Sequence, residues 1–370
     1  MRAMLSSLTI AEWTAWVIVV ALNAYVLFGG ADFGGGVWDL LASGPRRDHQ
    51  RALISRAISP IWEANHVWLI VVVVLLFVCF PPAFAAFGTI LHIPLSLMLI
   101  GIVLRGSAFI FRSYSYGPRS EQRRWGQVFA ISSLITPVVL GMCVGAVVSG
   151  NVGAALQGLE TGPAATLPAA ATTSNVGLVS PSFLTLYVRP WISPFTLAVG
   201  AMVLALFSFL AATYLTVEAE GDTTLQDDFR RRALGAAGAS MLVALIALAL
   251  GATRGGVMAR LVAVGWTLPL LIASAVAAVG AVLALFQRQY QLARVAAAGW
   301  VTLILWGWVL AQFPLIIPPS LTIDAAAAPA QTLRDNLSVL TGGAVILIPS
   351  LWYLLHVFKA GNRKPVPPPG

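Results

Sequence analysis

The sequence predicts an all-α membrane protein with nine transmembrane helices. Of its 370 residues, 58% are hydrophobic and only 10% are charged, whereas a soluble globular protein has about 25% charged residues. A helix needs about 20 mostly apolar residues to cross the hydrocarbon core of a bilayer. Nine such runs follow one another, separated by short segments except for one long connection between the fourth and the fifth. The composition therefore excludes an ordinary soluble enzyme.

The predicted spans form a single integral membrane domain over residues 1–360. The first run is too long for the apolar region of a signal peptide and lacks a strongly basic start, so we keep it as a span. We expect two four-helix bundles plus one additional helix and a disordered, proline-rich tail over 361–370. In chain order the spans cover residues 13–36, 58–80, 84–111, 125–148, 195–217, 234–253, 261–286, 296–317 and 337–358.

The distribution of basic residues predicts the orientation. Most of the 22 Lys and Arg residues lie in the loops after spans one, three, five and seven and after span nine. Basic residues accumulate on the cytoplasmic side, which places the N-terminus outside and the C-terminus in the cytoplasm. The long connection over 149–194 is then extracytoplasmic. We interpret the net charge of +8 as membrane anchoring and expect no nucleic-acid partner.

The cysteine and histidine residues provide few candidate ligands for a metal or a haem. Cys79 and Cys143 both lie in apolar segments, which excludes a disulfide framework and a Cys-based metal site. A haem would need two His residues on facing helices. By predicted depth only His66 and His356 could meet, and we keep that pair as a minor alternative. We expect no cofactor, no metal and no catalytic residue in this chain.

Three charged residues share one depth inside the predicted membrane. Asp32, Glu63 and Arg105 come from three consecutive spans and lie roughly 10 Å or less from the cytoplasmic face at 1.5 Å per residue. Charged groups inside a span cost free energy to insert into the bilayer, and they often mark ion or proton paths. One interpretation is a network that only fastens three helices together. The interpretation that we favour is a proton entry from the cytoplasm.

In that second interpretation Glu63 carries the proton, because a partly desolvated carboxyl group can load and release protons near neutral pH. Arg105 would oppose this if it paired with Glu63. His66, one helical turn from Glu63, either extends the relay or hydrogen-bonds to a backbone carbonyl. The glycines over 34–36 permit close helix contact or a sharp exit from the membrane.

Four segments resemble subunit II of cytochrome bd-type quinol oxidases. Residues 30–36, Gly-Ala-Asp-Phe-Gly-Gly-Gly, resemble the family's Gly-Phe-Asp-Leu-Gly-x-Gly element. Residues 59–69, Ser-Pro-Ile-Trp-Glu-Ala-Asn-His-Val-Trp-Leu, resemble its Pro-Val-Trp-Asp-Gly-Asn-x-x-Trp-Leu element. Residues 104–112, Leu-Arg-Gly-Ser-Ala-Phe-Ile-Phe-Arg, are similar to its Arg-Gly-Val-Ala-Phe-Glu-Phe-Arg element. Residues 313–326 resemble the extracytoplasmic turn before its last helix.

The resemblance implies a multi-pass subunit of the prokaryotic cytoplasmic (inner) membrane that holds no haem of its own. It would form a heterodimer with a subunit I that bears haem b and haem d, oxidises quinol and reduces oxygen to water. A small single-span accessory subunit and a structural quinone are further expectations. The alternative is a proton-coupled secondary transporter, although the second half of the chain lacks a counterpart to the three buried charges.

The resemblance also suggests roles for individual residues. Glu63 matches the acidic residue of the family's proton path, in which Asp32, Arg105 and His66 are its expected neighbours. Trp68 matches a tryptophan of an oxygen route, and Trp62 serves that route or packing. The expected structural motif consists of Gly30, Gly34, Gly36, Asn65 and Pro314. Gly29, Ala64 and Ile110 depart from the Asp, Gly and Glu usual in the family.

Overall fold

The structure is a computed structural model that describes residues 8–114, 119–160, 182–252, 257 and 267–361. Its elements, in chain order, are α1 (Ile10–Leu40), α2 (Arg47–Cys79), α3 (Pro81–Ile90), α4 (His92–Tyr114), α5 (Arg119–Val148), α6 (Asn151–Glu160), α7 (Phe183–Tyr187), α8 (Pro194–Glu218), α9 (Thr223–Ala252), α10 (Thr267–Phe286), α11 (Tyr290–Gln312), β1 (Leu315–Ile317), β2 (Leu321–Thr322), α12 (Ile323–Ala326) and α13 (Ala330–Gly361).

The predicted fold class is confirmed. Among the described residues, nine helices are long and apolar enough to cross a membrane, namely α1, α2, α4, α5, α8, α9, α10, α11 and α13. Several of them run past the apolar segments into charged sequence, as α2 does when it begins at Arg47 instead of residue 58. The chain orientation and the division into two bundles stay predictions.

Two predicted spans have wrong boundaries. The span over 84–111 is divided, because α3 ends at Ile90 and α4 begins at His92. Pro94 has no N–H to donate to the Ile90 carbonyl, so one continuous helix would lose a hydrogen bond there. The span over 296–317 is too long, since α11 ends at Gln312. Pro314 follows, and the chain then enters the hairpin of β1 and β2.

Helix α1 lies at the centre of the first half, where it packs against α2, α5 and α8. Small residues allow these approaches. A Cβ atom added at Gly34 would lie 2.0 Å from the carbonyl oxygen of Phe207 on α8. In the same way, a Cβ atom added at Gly141 on α5 would lie 2.7 Å from the Cα atom of Gly200 on α8. Close contact of this kind is how membrane helices associate without a hydrophobic driving force between them.

The remaining helices extend from this centre. Helix α4 packs on α5, α9 packs on α8, and the α10–α11 pair meets the rest mainly where α11 packs on α8. The short helix α12, which follows the hairpin, is tied to the start of α1, because the Thr9 hydroxyl donates to Asp324 Oδ1 at 2.8 Å. Residues 161–181 of the loop over 149–194 and nearly all of the predicted disordered tail lie outside the described residues, as do residues 261–266 of the seventh predicted span.

Candidate functional site

The structure brings Asp32 on α1 and Arg105 on α4 into a bidentate ion pair. Arg105 Nη1 donates to Asp32 Oδ2 at 2.8 Å, and Nη2 donates to Oδ1 at 2.6 Å. Both residues are buried, with exposed fractions of 0% for Asp32 and 2% for Arg105. Because both carboxyl oxygens accept hydrogen bonds from a cation, the geometry is that of a carboxylate.

The other contacts of Arg105 fix its side chain in place. Nη2 also donates to the Asp32 carbonyl at 2.9 Å, and Nε donates to Ser133 Oγ on α5 at 2.9 Å. The rings of Phe33 and Phe129 flank the guanidinium, with centroids 4.9 and 4.8 Å from its Cζ atom. These cation–π contacts and hydrogen bonds fasten α1, α4 and α5 together.

A second ion pair repeats the first. Arg112 Nη1 and Nη2 donate to the carboxylate oxygens of Asp39 at 2.8 and 2.9 Å. Arg51 on α2 adds two hydrogen bonds to the Asp39 carbonyl, each of 3.2 Å. The sequence reasoning missed this pair. The sequence signal for this pair was the spacing, since Asp39 follows Asp32 and Arg112 follows Arg105 by seven residues. Positions seven residues apart lie two turns along one face of a helix.

A small cavity lies beside the first pair. Its volume is about 10 Å³, and its polar lining consists of Tyr25, Asp32, Asn65, His66 and Arg105. That volume is about the space that one water molecule requires. Tyr25 was not predicted as a site residue, because nothing in the sequence distinguishes this tyrosine from one that only packs within an apolar helix.

His66 makes the backbone hydrogen bond that was one of the two expectations for it. Its Nδ1 lies 2.6 Å from the carbonyl oxygen of Trp62. A carbonyl oxygen can only accept, so Nδ1 carries the proton and Nε2 is an acceptor whenever the ring is neutral. Trp62 also contacts the imidazole edge to face at 5.2 Å and lies against Phe109, which favours a packing role for this tryptophan.

The structure places Glu63 on α2, three residues before His66, but its side chain lies outside the described residues. Pro60 lies within the same helix and has no N–H for the carbonyl of Arg56, so the continuous helix lacks one backbone hydrogen bond about one turn before Glu63. Trp68, five residues further on, has a buried Nε1 with no partner among the described side chains and backbone.

The expected structural residues lie at helix contacts. Cβ atoms added at Gly30 and Gly36 would lie 2.6 Å from Leu210 Cδ1 and 2.1 Å from Ser133 Oγ. Helix α1 continues through these glycines to Leu40, so the alternative of a sharp exit from the membrane at residues 34–36 is wrong. The Pro314 carbonyl accepts a hydrogen bond of 2.9 Å from the Ile323 backbone N–H.

A comparison with models of known protein families identifies the family of this chain. The model described as cytochrome bd terminal oxidase subunit II matches residues 10–358. The chain belongs to this family. As a subunit II it is 26% identical over 243 residues to the cytochrome bd-I ubiquinol oxidase subunit 2 of Escherichia coli strain K12, covering 64% of this chain and 54% of that one. The predicted resemblance is confirmed, and the transporter alternative is not supported.

Similarity to two further proteins supports the family assignment. The cytochrome bd ubiquinol oxidase subunit 2 of Bacillus subtilis strain 168 is 31% identical over 129 residues, which cover 34% of this subunit II and 37% of that protein. This chain therefore aligns with only about a third to a half of the length of these relatives. A chain in the structure of bd oxidase from Geobacillus thermodenitrificans shares the fold, with a TM-score of 0.72 at 22% identity, covering 95% of this chain and 99% of that one.

Proposed function

We propose that this subunit II is the non-haem subunit of a cytochrome bd-type terminal quinol oxidase in a prokaryotic cytoplasmic membrane. It forms a heterodimer with a haem-bearing subunit I, which oxidises quinol and reduces oxygen to water. The observation that carries the proposal is the family match over almost the whole chain. The haem b and haem d chemistry belongs to the partner, and this chain contributes its scaffold and a path for protons.

The proposed proton path starts at the predicted cytoplasmic face and runs through Glu63. The ion pair of Asp32 and Arg105 supports this role indirectly. Because the Arg105 charge is offset by a carboxylate 2.6 Å away, Arg105 acts on its surroundings as a dipole more than as a free cation. A carboxyl group at position 63 then takes up and releases protons without a full positive charge beside it.

The missing hydrogen bond at Pro60 and the cavity support the same path. Pro60 leaves a backbone carbonyl available for hydrogen bonding, and His66 presents Nε2 as an acceptor one turn beyond Glu63. The ion pair itself holds α1 and α4 in position, and Asp32 serves as a fixed charge in this proposal instead of a mobile carrier. The oxygen route near Trp68, the structural quinone and the single-span accessory subunit rest on the family resemblance alone.

Affinity purification from the native membrane tests the proposal. The membranes are crosslinked before mild solubilisation, and the preparation is examined by reduced-minus-oxidised spectroscopy, quinol-dependent oxygen uptake and identification of the bound chains. We expect a haem-bearing partner and oxygen uptake. A colourless preparation in which no partner is crosslinked would contradict the oxidase assignment.

A further inference from the structure

The cavity beside the ion pair is surrounded by polar groups from three helices. Tyr25 reaches it from α1, Asn65 and His66 reach it from α2, and Arg105 reaches it from α4. Its volume of about 10 Å³ matches the roughly 10–15 Å³ that a single water molecule needs. Buried cavities with two to four polar partners hold water, whereas apolar cavities of this kind stay dry.

Two of these side chains have polar atoms that no described residue satisfies. Tyr25 Oη and Asn65 Oδ1 are buried without a hydrogen-bond partner among the described residues, and each of the two residues is only 2% exposed. Leaving a buried donor or acceptor unsatisfied is destabilising, so native proteins satisfy nearly all such atoms with protein groups or ordered water. Both atoms therefore point to a small polar ligand.

Arg105 supplies a third partner. A guanidinium has five N–H groups, and the bonds to Ser133 and Asp32 use four of them, one on Nε, one on Nη1 and two on Nη2. The remaining Nη1 N–H has no acceptor among the residues that the structure describes. Since Arg105 lines the cavity, this donor is available to a molecule within it.

We propose that the cavity is a binding site for one ordered water molecule. Tyr25 Oη and Arg105 Nη1 donate to the water oxygen, and the water donates its hydrogens to Asn65 Oδ1 and to Nε2 of His66. The water then has four partners, and each polar group around it is satisfied.

The water also extends the proton path, a step that rests on the proposed function. In the proposed path the water passes one of its protons to Nε2 of His66 and takes up the proton that the Glu63 carboxyl group releases. The water is then unchanged, Glu63 becomes a carboxylate and His66 becomes an imidazolium. This gives His66 a defined way to accept a proton on the helical turn that follows Glu63.

A high-resolution electron cryomicroscopy map of the purified complex tests the site. We expect a density peak about 2.7–3.2 Å from both Tyr25 Oη and Asn65 Oδ1. In Tyr25→Phe the peak should weaken or disappear while the ion pair remains. The matched control is Tyr290→Phe, which removes another buried hydroxyl without a described partner, on α11, and should leave the peak in place. Well-resolved side chains without the peak in the wild type would overturn the site.

Oxygen consumption per haem tests the relay. Tyr25→Phe should slow it roughly threefold to tenfold, the range expected for the loss of one hydrogen bond, whereas Tyr290→Phe should not. An unchanged rate in Tyr25→Phe, with the peak gone, would refute the relay and keep the water site. If Glu63→Gln has no effect, the proposed path through Glu63 fails, and the map still decides whether the water binds.

Discussion

The guanidinium of Arg105 holds both carboxylate oxygens of Asp32 across the interface of α1 and α4. Seven residues later on both helices, Arg112 holds both oxygens of Asp39. The two pairs are therefore in register, about 10.5 Å apart at 1.5 Å per residue. The first is fully enclosed, whereas the Arg112 side chain is 23% exposed. The two helices are thus joined by one buried ion pair and one partly exposed ion pair.

Removing one member of the buried pair should be severely destabilising. Arg105→Gln leaves the Asp32 carboxylate buried without its cation, and breaking such a pair costs about 3–5 kcal/mol. Arg105→Lys should recover only part of the loss, because Lys cannot form the bidentate geometry. The yield of assembled complex and its thermal unfolding in detergent measure the effect.

The double variant Asp32→Asn with Arg105→Gln provides the matched comparison. It removes both charges, so it should be more stable than Arg105→Gln alone. Additive losses in the double variant would show that the two residues do not stabilise each other through their charges.

The approach of α1 to α8 should depend on the absence of a side chain at Gly34. In Gly34→Ala the new methyl group would lie 2.0 Å from the Phe207 carbonyl oxygen, so the helices must separate, at a cost of about 1–3 kcal/mol. Gly235→Ala on α9 is the control, because nothing lies within 4 Å of its added Cβ. The control should be neutral or more stable by about 0.5–1 kcal/mol. Equal melting temperatures for the two variants would refute the packing argument.

The start of α9 should be sensitive to acid. Asp222 Oδ1 accepts hydrogen bonds from the Thr224 hydroxyl and from the backbone N–H groups of Thr224 and Leu225. The Thr224 hydroxyl, followed by the Leu225 backbone, lowers the pKa of Asp222. A lowered pKa stabilises the folded state above the unfolded value of about 3.9, and this contribution is lost as the pH falls through the folded value.

Asp222→Ala should therefore cost about 0.5–1 kcal/mol near neutral pH, and the difference from wild type should shrink below about pH 4. Asp222→Asn keeps an acceptor at this position, so its stability should show less pH dependence than that of the wild type. Thermal unfolding of the three proteins at several pH values measures this, and a constant difference between Asp222→Ala and wild type would contradict the capping role.

The predicted orientation can be measured with single cysteines, because Cys79 and Cys143 are both buried. Arg189 and Glu220 are exposed and flank α8 on opposite ends. Arg189→Cys should react with a membrane-impermeant maleimide in intact spheroplasts, and Glu220→Cys should react only after permeabilisation. The reverse pattern would invert the predicted topology.

The sequence alone predicts the helices and the family better than the site. Apolar runs identify the nine spans because the bilayer imposes a minimum length on each of them. The break at Leu91 and the end of α11 at Gln312 are harder to predict, since Pro94 and Pro314 act on a backbone whose neighbours are also apolar. Hydropathy does not report a lost backbone hydrogen bond.

The partners of the buried charges needed the structure. A common depth for Asp32, Glu63 and Arg105 follows from counting residues, but it does not tell which carboxyl group Arg105 binds. That choice depends on the rotation of each helix about its axis, which contacts such as Gly36 with Ser133 determine. Tyr25 and Ser133 belong to the site for the same reason, and neither type of residue indicates such a role by itself.

The rate of oxygen reduction in Glu63→Gln tests the central claim most directly. The variant is purified with its partner, and oxygen consumption with excess quinol is normalised to haem content. Glu220→Gln, an exposed carboxyl on the turn after α8, is the control. We predict that Glu63→Gln slows oxygen reduction severalfold with unchanged assembly and haem content, while the control matches the wild type. A wild-type rate per haem, or a loss of activity that only follows the loss of assembled complex, would contradict the proton path.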